Sequence, residues 1–254
     1  MKPTPRHHLV ANPARCVSTL AGFILLAVSL PRLLAQSSTP RSSATLDLTG
    51  YWVSVVTEDW LYRMVTPAKG DYSSVPLNPV GRRLADEWDA AKDEASGNQC
   101  KAYGAPAVIR IPGRVHITWQ DDSTLKLETD AGTQTRLFHF DATKGGSGGD
   151  WQGVSVANWD VEPGARGSVA GAGIRVVTTH LKPGYLRKNG VPYSANTVLT
   201  EYYDRVNETN GDSWLIVKTI VEDPAYLTVP FITSTHFKKQ ADSKGWNPRP
   251  CTAR

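Results

Sequence analysis

Arg136, Glu201 and Tyr203 are the residues whose types and spacing could do chemistry together. The arginine stands in a β-type run over 133–140, and the carboxylate and phenol in another over 197–206. Alternation puts Arg136, Phe138 and Phe140 on one face of the first strand. It puts Leu199, Glu201, Tyr203 and Arg205 on one face of the second. If both faces point inward, a charged pair lies beside a phenol in a dry interior. There a carboxylate can serve as general acid or base, and a guanidinium or phenol can hold an oxyanion. His180 closes the Thr178-Thr179-His180 strand end and would stand at the mouth with Tyr193-Ser194, as the fourth member of a catalytic set. The structural alternative is an ion pair without catalysis, or an exposed sheet face, because alternation does not separate inside from outside.

Other constellations are weaker. His116, His139, His180 and His236 lie on separate strands with no His-x-His or His-x-x-x-His spacing, so no metal site is expected. Gly153-Val154-Ser155-Val156-Ala157 superficially suggests a nucleophile elbow, but that motif needs a sharp turn into a helix, and a strand pattern continues here to Trp159. The glycine-rich stretches over 144–149 and 164–173 read as flexible loops and lack the Gly-Lys-Ser/Thr of a phosphate loop. No cofactor is implied. Eight tryptophans are many for this length. Trp52, Trp119, Phe138, Trp159 and Tyr193 are candidate walls of a ligand cavity, with core packing as the alternative for each.

The first thirty-five residues read as an address. A basic lead with Arg6, His7, His8 and Arg15 precedes an apolar run over 20–30, and polar residues follow Ala35. That is the layout of a secretory signal peptide cleaved after Ala35, with an uncleaved anchor as the alternative. The apolar run falls short of the about 20 residues a membrane span needs, so no stable span is expected after cleavage. Cleavage removes Lys2, Arg6, Arg15 and Arg32, which takes the basic count from 28 to 24 against 24 acidic residues. A neutral mature chain gives no support to nucleic-acid binding, and the expected location is secreted or periplasmic. Cys16 leaves with the signal; Cys100 and Cys251 remain and are expected to form a disulfide in an oxidising compartment.

Residues 36–46 are polar and read as a disordered leader, followed by one domain over 47–254. Short β-type runs separated by Gly, Pro, Asn and Asp dominate that domain. They fall at 48–56, 107–111, 115–119, 124–129, 133–140, 152–159, 174–180, 197–206, 214–221 and 231–239. One short helix is expected near 79–95, with Asn78 as its cap, Pro79 in its first position and Gly97 as its stop. The fold class is all-β, an antiparallel meander closing into a barrel or a two-layer sheet.

Gly153-Val154-Ser155-Val156-x-x-Trp159 and Ile174-x-Val176-Val177-Thr178-Thr179 form a recognisable pair. Gly190-Val191-Pro192-Tyr193-Ser194, Glu201, and Asp223-Pro224-x-Tyr226-x-Thr228-x-Pro230 continue it. With Leu48-Thr49-Gly50-x-Trp52 and Leu77-Asn78-Pro79, this resembles the signature of an uncharacterised family of exported bacterial proteins, over nearly all of the mature chain. The resemblance implies an all-β, lipocalin-like domain and supplies no catalytic residues. One departure is the stretch between Asp160 and Gly173, where the family has a tight turn. The leading expectation is a barrel that binds a small apolar or amphipathic ligand in its interior. The alternatives are an enzyme of acid–base isomerisation, cyclisation or hydrolysis in that cavity, and an envelope interaction protein with a filled barrel.

Overall fold

The computed structural model describes residues 38–163, 165 and 169–254, so the expected signal segment over 1–35 lies outside the described residues. The chain opens with β1 (Gly50–Val55) and then a helical stretch: α1 (Trp60–Met64), α2 (Pro79–Glu87), α3 (Ala90–Ala95) and α4 (Ala105–Val108). The remaining strands follow as β2 (Arg114–Trp119), β3 (Thr124–Thr129), β4 (Thr135–His139), β5 (Val154–Pro163), β6 (Val169–Thr179), β7 (Gly184–Arg187), β8 (Val191–Tyr193), β9 (Val198–Asn207), β10 (Ser213–Glu222) and β11 (Phe231–Lys239). Nine strands close a barrel in the order β1-β11-β10-β9-β6-β5-β4-β3-β2, while β7 and β8 form a separate hairpin. Closure leaves no strand edge unpaired, which is how an antiparallel sheet of this size avoids self-association. Within the barrel β4 pairs with β5 in parallel, Phe138 opposite Ser155, because the loop over 140–153 carries the chain back to the end where β4 began.

Alternation sorts the strands into an apolar inside and a polar outside. Trp52, Ile117, Leu127, Phe138, Val176 and Val217 are among the fully buried residues of the barrel core. A second core lies at one end of the barrel and includes Tyr72, Ala85, Leu186, Tyr193 and the barrel residues Leu199, Val221 and Phe231. The helices and the β7–β8 hairpin supply this cap. At the other end Leu46 packs on the barrel core, and the Trp52 indole donates to the Leu48 carbonyl at 2.9 Å. The described part of the expected disordered leader therefore carries structure: Ser43 N donates to Thr39 O at 2.9 Å, and Arg41 N to Asp122 O at 3.0 Å.

Three local expectations are corrected. The single helix near 79–95 is two helices, broken where Trp88 turns extended and Asp89 caps Ala91 N at 2.9 Å. The Asn78 cap does form, accepting from Gly81 N at 2.9 Å. The run over 107–111 is not a strand; it begins within α4, where Pro106 suits a first helical turn and every residue is buried. A short run that is apolar but for Arg110 carries no periodicity to separate the two readings. The stretch over 164–173 is not simply a loop, since β5 and β6 extend as a long hairpin with Asp160 opposite Gly173. There a Cβ at Gly173 would press on the Asp204 carboxylate, an exposed side chain that would have to move aside.

The expected disulfide is present: Cys100 and Cys251 are bonded across a sequence separation of 151. It ties the cap to the C-terminal tail, whose Arg249 bridges in parallel to Ala131. Closing so long a loop restricts the unfolded chain by up to about 5 kcal/mol in the chain-entropy account. A Cys100→Ser/Cys251→Ser variant is expected to lose about 2–5 kcal/mol, read as a lower urea midpoint with native circular dichroism retained below it.

Candidate functional site

Arg136 on β4 and Glu201 on β9 meet in the barrel interior, with both side chains fully buried. The contact is bidentate: Arg136 Nη1 donates to Glu201 Oε1 at 2.9 Å and Nη2 to Oε2 at 2.6 Å. The Tyr203 hydroxyl donates to Glu201 Oε1 at 3.1 Å, and Arg136 Nη2 also reaches Thr178 Oγ1 at 3.2 Å. Thr178 in turn pairs with Ser155 Oγ at 2.7 Å. The guanidinium lies 4.9 Å over the Phe138 ring, and Phe138 packs against Tyr203 with ring centroids 5.3 Å apart. Burial alone would depress Arg136, but the Glu201 charge overrides it and holds the guanidinium above its ordinary value. Burial, then the same carboxylate, pushes the Tyr203 phenol well up, so it stays a protonated donor. Arg136 Nε has no partner.

Three of the four expected catalytic residues thus come together, and the fourth does not. His180 is exposed at the end of β6 with φ 56°, and its Nδ1 lies 2.8 Å from Thr179 Oγ1. Both Glu201 oxygens are taken by Arg136 and Tyr203, and a general base must reach a substrate proton. The cluster is built as a structural ion pair. Ser155 sits within β5, so no nucleophile elbow exists there.

The aromatic set divides. Trp52, Phe138 and Tyr193 are buried to within 1% and fill the two cores rather than line a space. Trp119 and Trp159 are half-buried and tilt against Phe140, with centroids 5.6 and 5.0 Å from it. The residues of the family-like signature hold the cap. Asn78 N donates to Tyr226 O and Thr228 N to Pro76 O, both at 2.8 Å, so the Asp223-to-Pro230 segment docks the start of α2. Asp223 accepts from Ser194 N and Oγ at 2.6 and 2.8 Å and pins the turn after β8.

An open cavity of about 50 Å³ lies on the cap, lined by Tyr62, Arg63, Arg110, Ile111, Arg187 and Lys188 among others. The sequence reading missed it. Its one legible trace is Arg110, a charge set between Ile109 and Ile111 in an apolar run. Beside it α1 exposes Trp60, Leu61 and Met64, and Val65 follows, each at 57–68% of its full area. Among the described residues no cluster of three or more His, Cys, Asp or Glu is arranged to hold a metal, and no helix is long and apolar enough to cross a membrane. Comparison with family models, curated proteins and solved structures finds no match.

Arg136→Met strands a buried carboxylate and is expected to cost about 3–5 kcal/mol in urea denaturation. Arg136→Met/Glu201→Leu is expected to recover most of that loss, since apolar replacement of a whole buried pair is close to neutral. The raised pKa values of Tyr203 and Tyr193 set a pH limit. Their contribution is complete below the ordinary phenol value of 10.0 and falls as pH rises beyond it. The urea midpoint is expected to drop above that pH, with the part of the phenolate absorbance that Tyr203 and Tyr193 contribute appearing only together with unfolding.

Proposed function

We propose that this chain is an exported β-barrel binding protein that holds a small amphipathic molecule at the cap of the barrel, not in its interior. The carrying observation is the contrast between a filled barrel and the exposed face of α1. Trp60 and Met64 are four residues apart and so share a side of the helix, and Val65 follows it in extended backbone. Three large apolar side chains this exposed in one short helix, with Val65 beside them, call for an occupant. Tyr62 and Arg63 of the same helix line the cap cavity, so an apolar body and a polar head find complementary surfaces next to each other. The export address, the disulfide and the signature over 48–230 support the exported reading and kinship with the uncharacterised family. The acid–base enzyme is the lesser reading, because Glu201 has no open face.

Two measurements test this. Expression of the full chain in a bacterium with a secretion pathway should yield a mature protein beginning at Gln36; a mass that retains residues 1–35 would overturn export. Titration with the anionic fluorophore anilinonaphthalene sulfonate should show saturable binding that Trp60→Ser/Met64→Ser weakens at least tenfold. The double variant should keep its stability to within about 0.5 kcal/mol, as exposed substitutions do. Undiminished binding in that variant would sink the cap reading.

A further inference from the structure

The cap cavity carries more positive charge than its own contacts neutralise. Arg63 of α1, Arg110 just beyond α4 and Arg187 at the end of β7 all line it, and they are only 8%, 5% and 5% exposed. Arg63 Nη1 reaches Glu58 Oε1 at 2.9 Å, and Arg110 Nη2 reaches Asp59 Oδ2 at 2.8 Å. Among the described residues Arg187 has no carboxylate in hydrogen-bond contact; it donates to Ser73 O at 2.7 Å and Ser74 Oγ at 2.9 Å. Only two of the three guanidinium groups therefore hold a carboxylate directly, while Asp59 and Asp71 act on Arg187 from farther away.

Each arginine also keeps a nitrogen that is buried without a partner: Arg63 Nη2, Arg110 Nη1 and Arg187 Nε, together with Glu58 Oε2. Such donors cost free energy unless something accepts from them. Burial depresses Arg63 and Arg187 below the ordinary arginine value, and the Arg110 charge adds to the effect on both. Glu58 opposes it on Arg63, and Asp59 and Asp71 oppose it on Arg187. Packing holds the forks in place: Arg187 lies 4.5 Å over the Tyr62 ring and Arg110 5.5 Å over that of Phe231. Rigid, planar, under-neutralised guanidinium groups are the usual means of gripping an oxyanion.

We infer that Arg63, Arg110 and Arg187 form a binding site for the oxyanion group, carboxylate or phosphate, of a small molecule. The volume of about 50 Å³ exceeds the ~10–15 Å³ that one water needs and suits a single head group. The rest of a larger ligand would lie outside, on α1 or along an adjoining groove of about 360 Å³. Ile111, Pro112 and Lys188 line both spaces, and Tyr103, Arg249 and Thr252 continue the groove. The oxyanion site stands on the arginines alone; only the identity of the attached body rests on the amphiphile reading.

The test is calorimetric titration of the mature, disulfide-bonded protein in a chloride buffer with inorganic phosphate, acetate and octyl phosphate. Saturable binding of at least one of these oxyanions is expected, weakened at least tenfold by Arg187→Gln. Asp59→Asn should tighten it several-fold, since it removes the carboxylate that competes for Arg110. Asp59 has φ 50°, a conformation asparagine adopts readily, so this variant remains informative should Arg187→Gln fail to fold. No saturable response to any of the three, or responses unchanged in both variants, would overturn the site. Octyl phosphate binding far tighter than inorganic phosphate identifies an amphiphile as the source. Equal binding identifies a free ion, which keeps the arginine site and removes the amphiphile. Trp60→Ser/Met64→Ser should abolish the alkyl preference and leave inorganic phosphate binding in place.

Discussion

The bidentate contact between Arg136 and Glu201 joins two strands that are not neighbours in the sheet, since β6 and β5 lie between β9 and β4. It therefore ties the barrel across its interior rather than along its wall. The tie sits between two apolar cores, one within the barrel and one under the helices. A charge pair at that level constrains register on every strand that meets it. A slip of one residue on β9 would send Glu201 to solvent and leave Arg136 buried alone, a loss of several kcal/mol. Apolar side chains alone would tolerate more arrangements, because burial is not directional.

Around that tie, the residues that look most like a functional signature turn out to build the cap. Tyr226 and Thr228 grip the start of α2 while Asp223 pins the turn after β8, and Gly81 lets the helix approach, since a Cβ there would press on the Tyr226 carbonyl. Gly190 gives way in the same manner to the Trp88 ring. In this motif Asp223, Tyr226 and Thr228 satisfy backbone donors or acceptors that the end of a closed barrel would otherwise leave bare.

Much of this was legible in the sequence for a plain reason. Period-two alternation reports directly on which side chains share a face, so β4 and β9 could be placed with Arg136, Glu201 and Tyr203 aligned. The disulfide followed from the two cysteines that lie outside the expected signal segment. What the sequence did not show is cooperation between segments with no periodicity. The run over 107–111 is apolar except for Arg110, and α1 is five residues long, too short to display a helical stripe. Arg63, Arg110 and Arg187 come from three such places, and only the fold brings their charges to one cavity. His180 failed for the converse reason: its strand was read correctly, but a left-handed residue at the strand end leaves the ring exposed.

A filled barrel changes what such a fold can be used for. Trp52, Phe138 and Tyr203 occupy the axis that a hollow barrel would offer to a ligand, and the ion pair between them is satisfied by the protein itself. Binding must then be built where secondary structure is short and packing is incomplete. The cap meets that description: four brief helices and a two-stranded hairpin converge there, two of its three arginines are held in place by aromatic rings, and the face of α1 is left uncovered. The rigid barrel with its cross-tie serves as the platform on which these loosely patterned segments keep a fixed geometry, as loop-borne sites generally require.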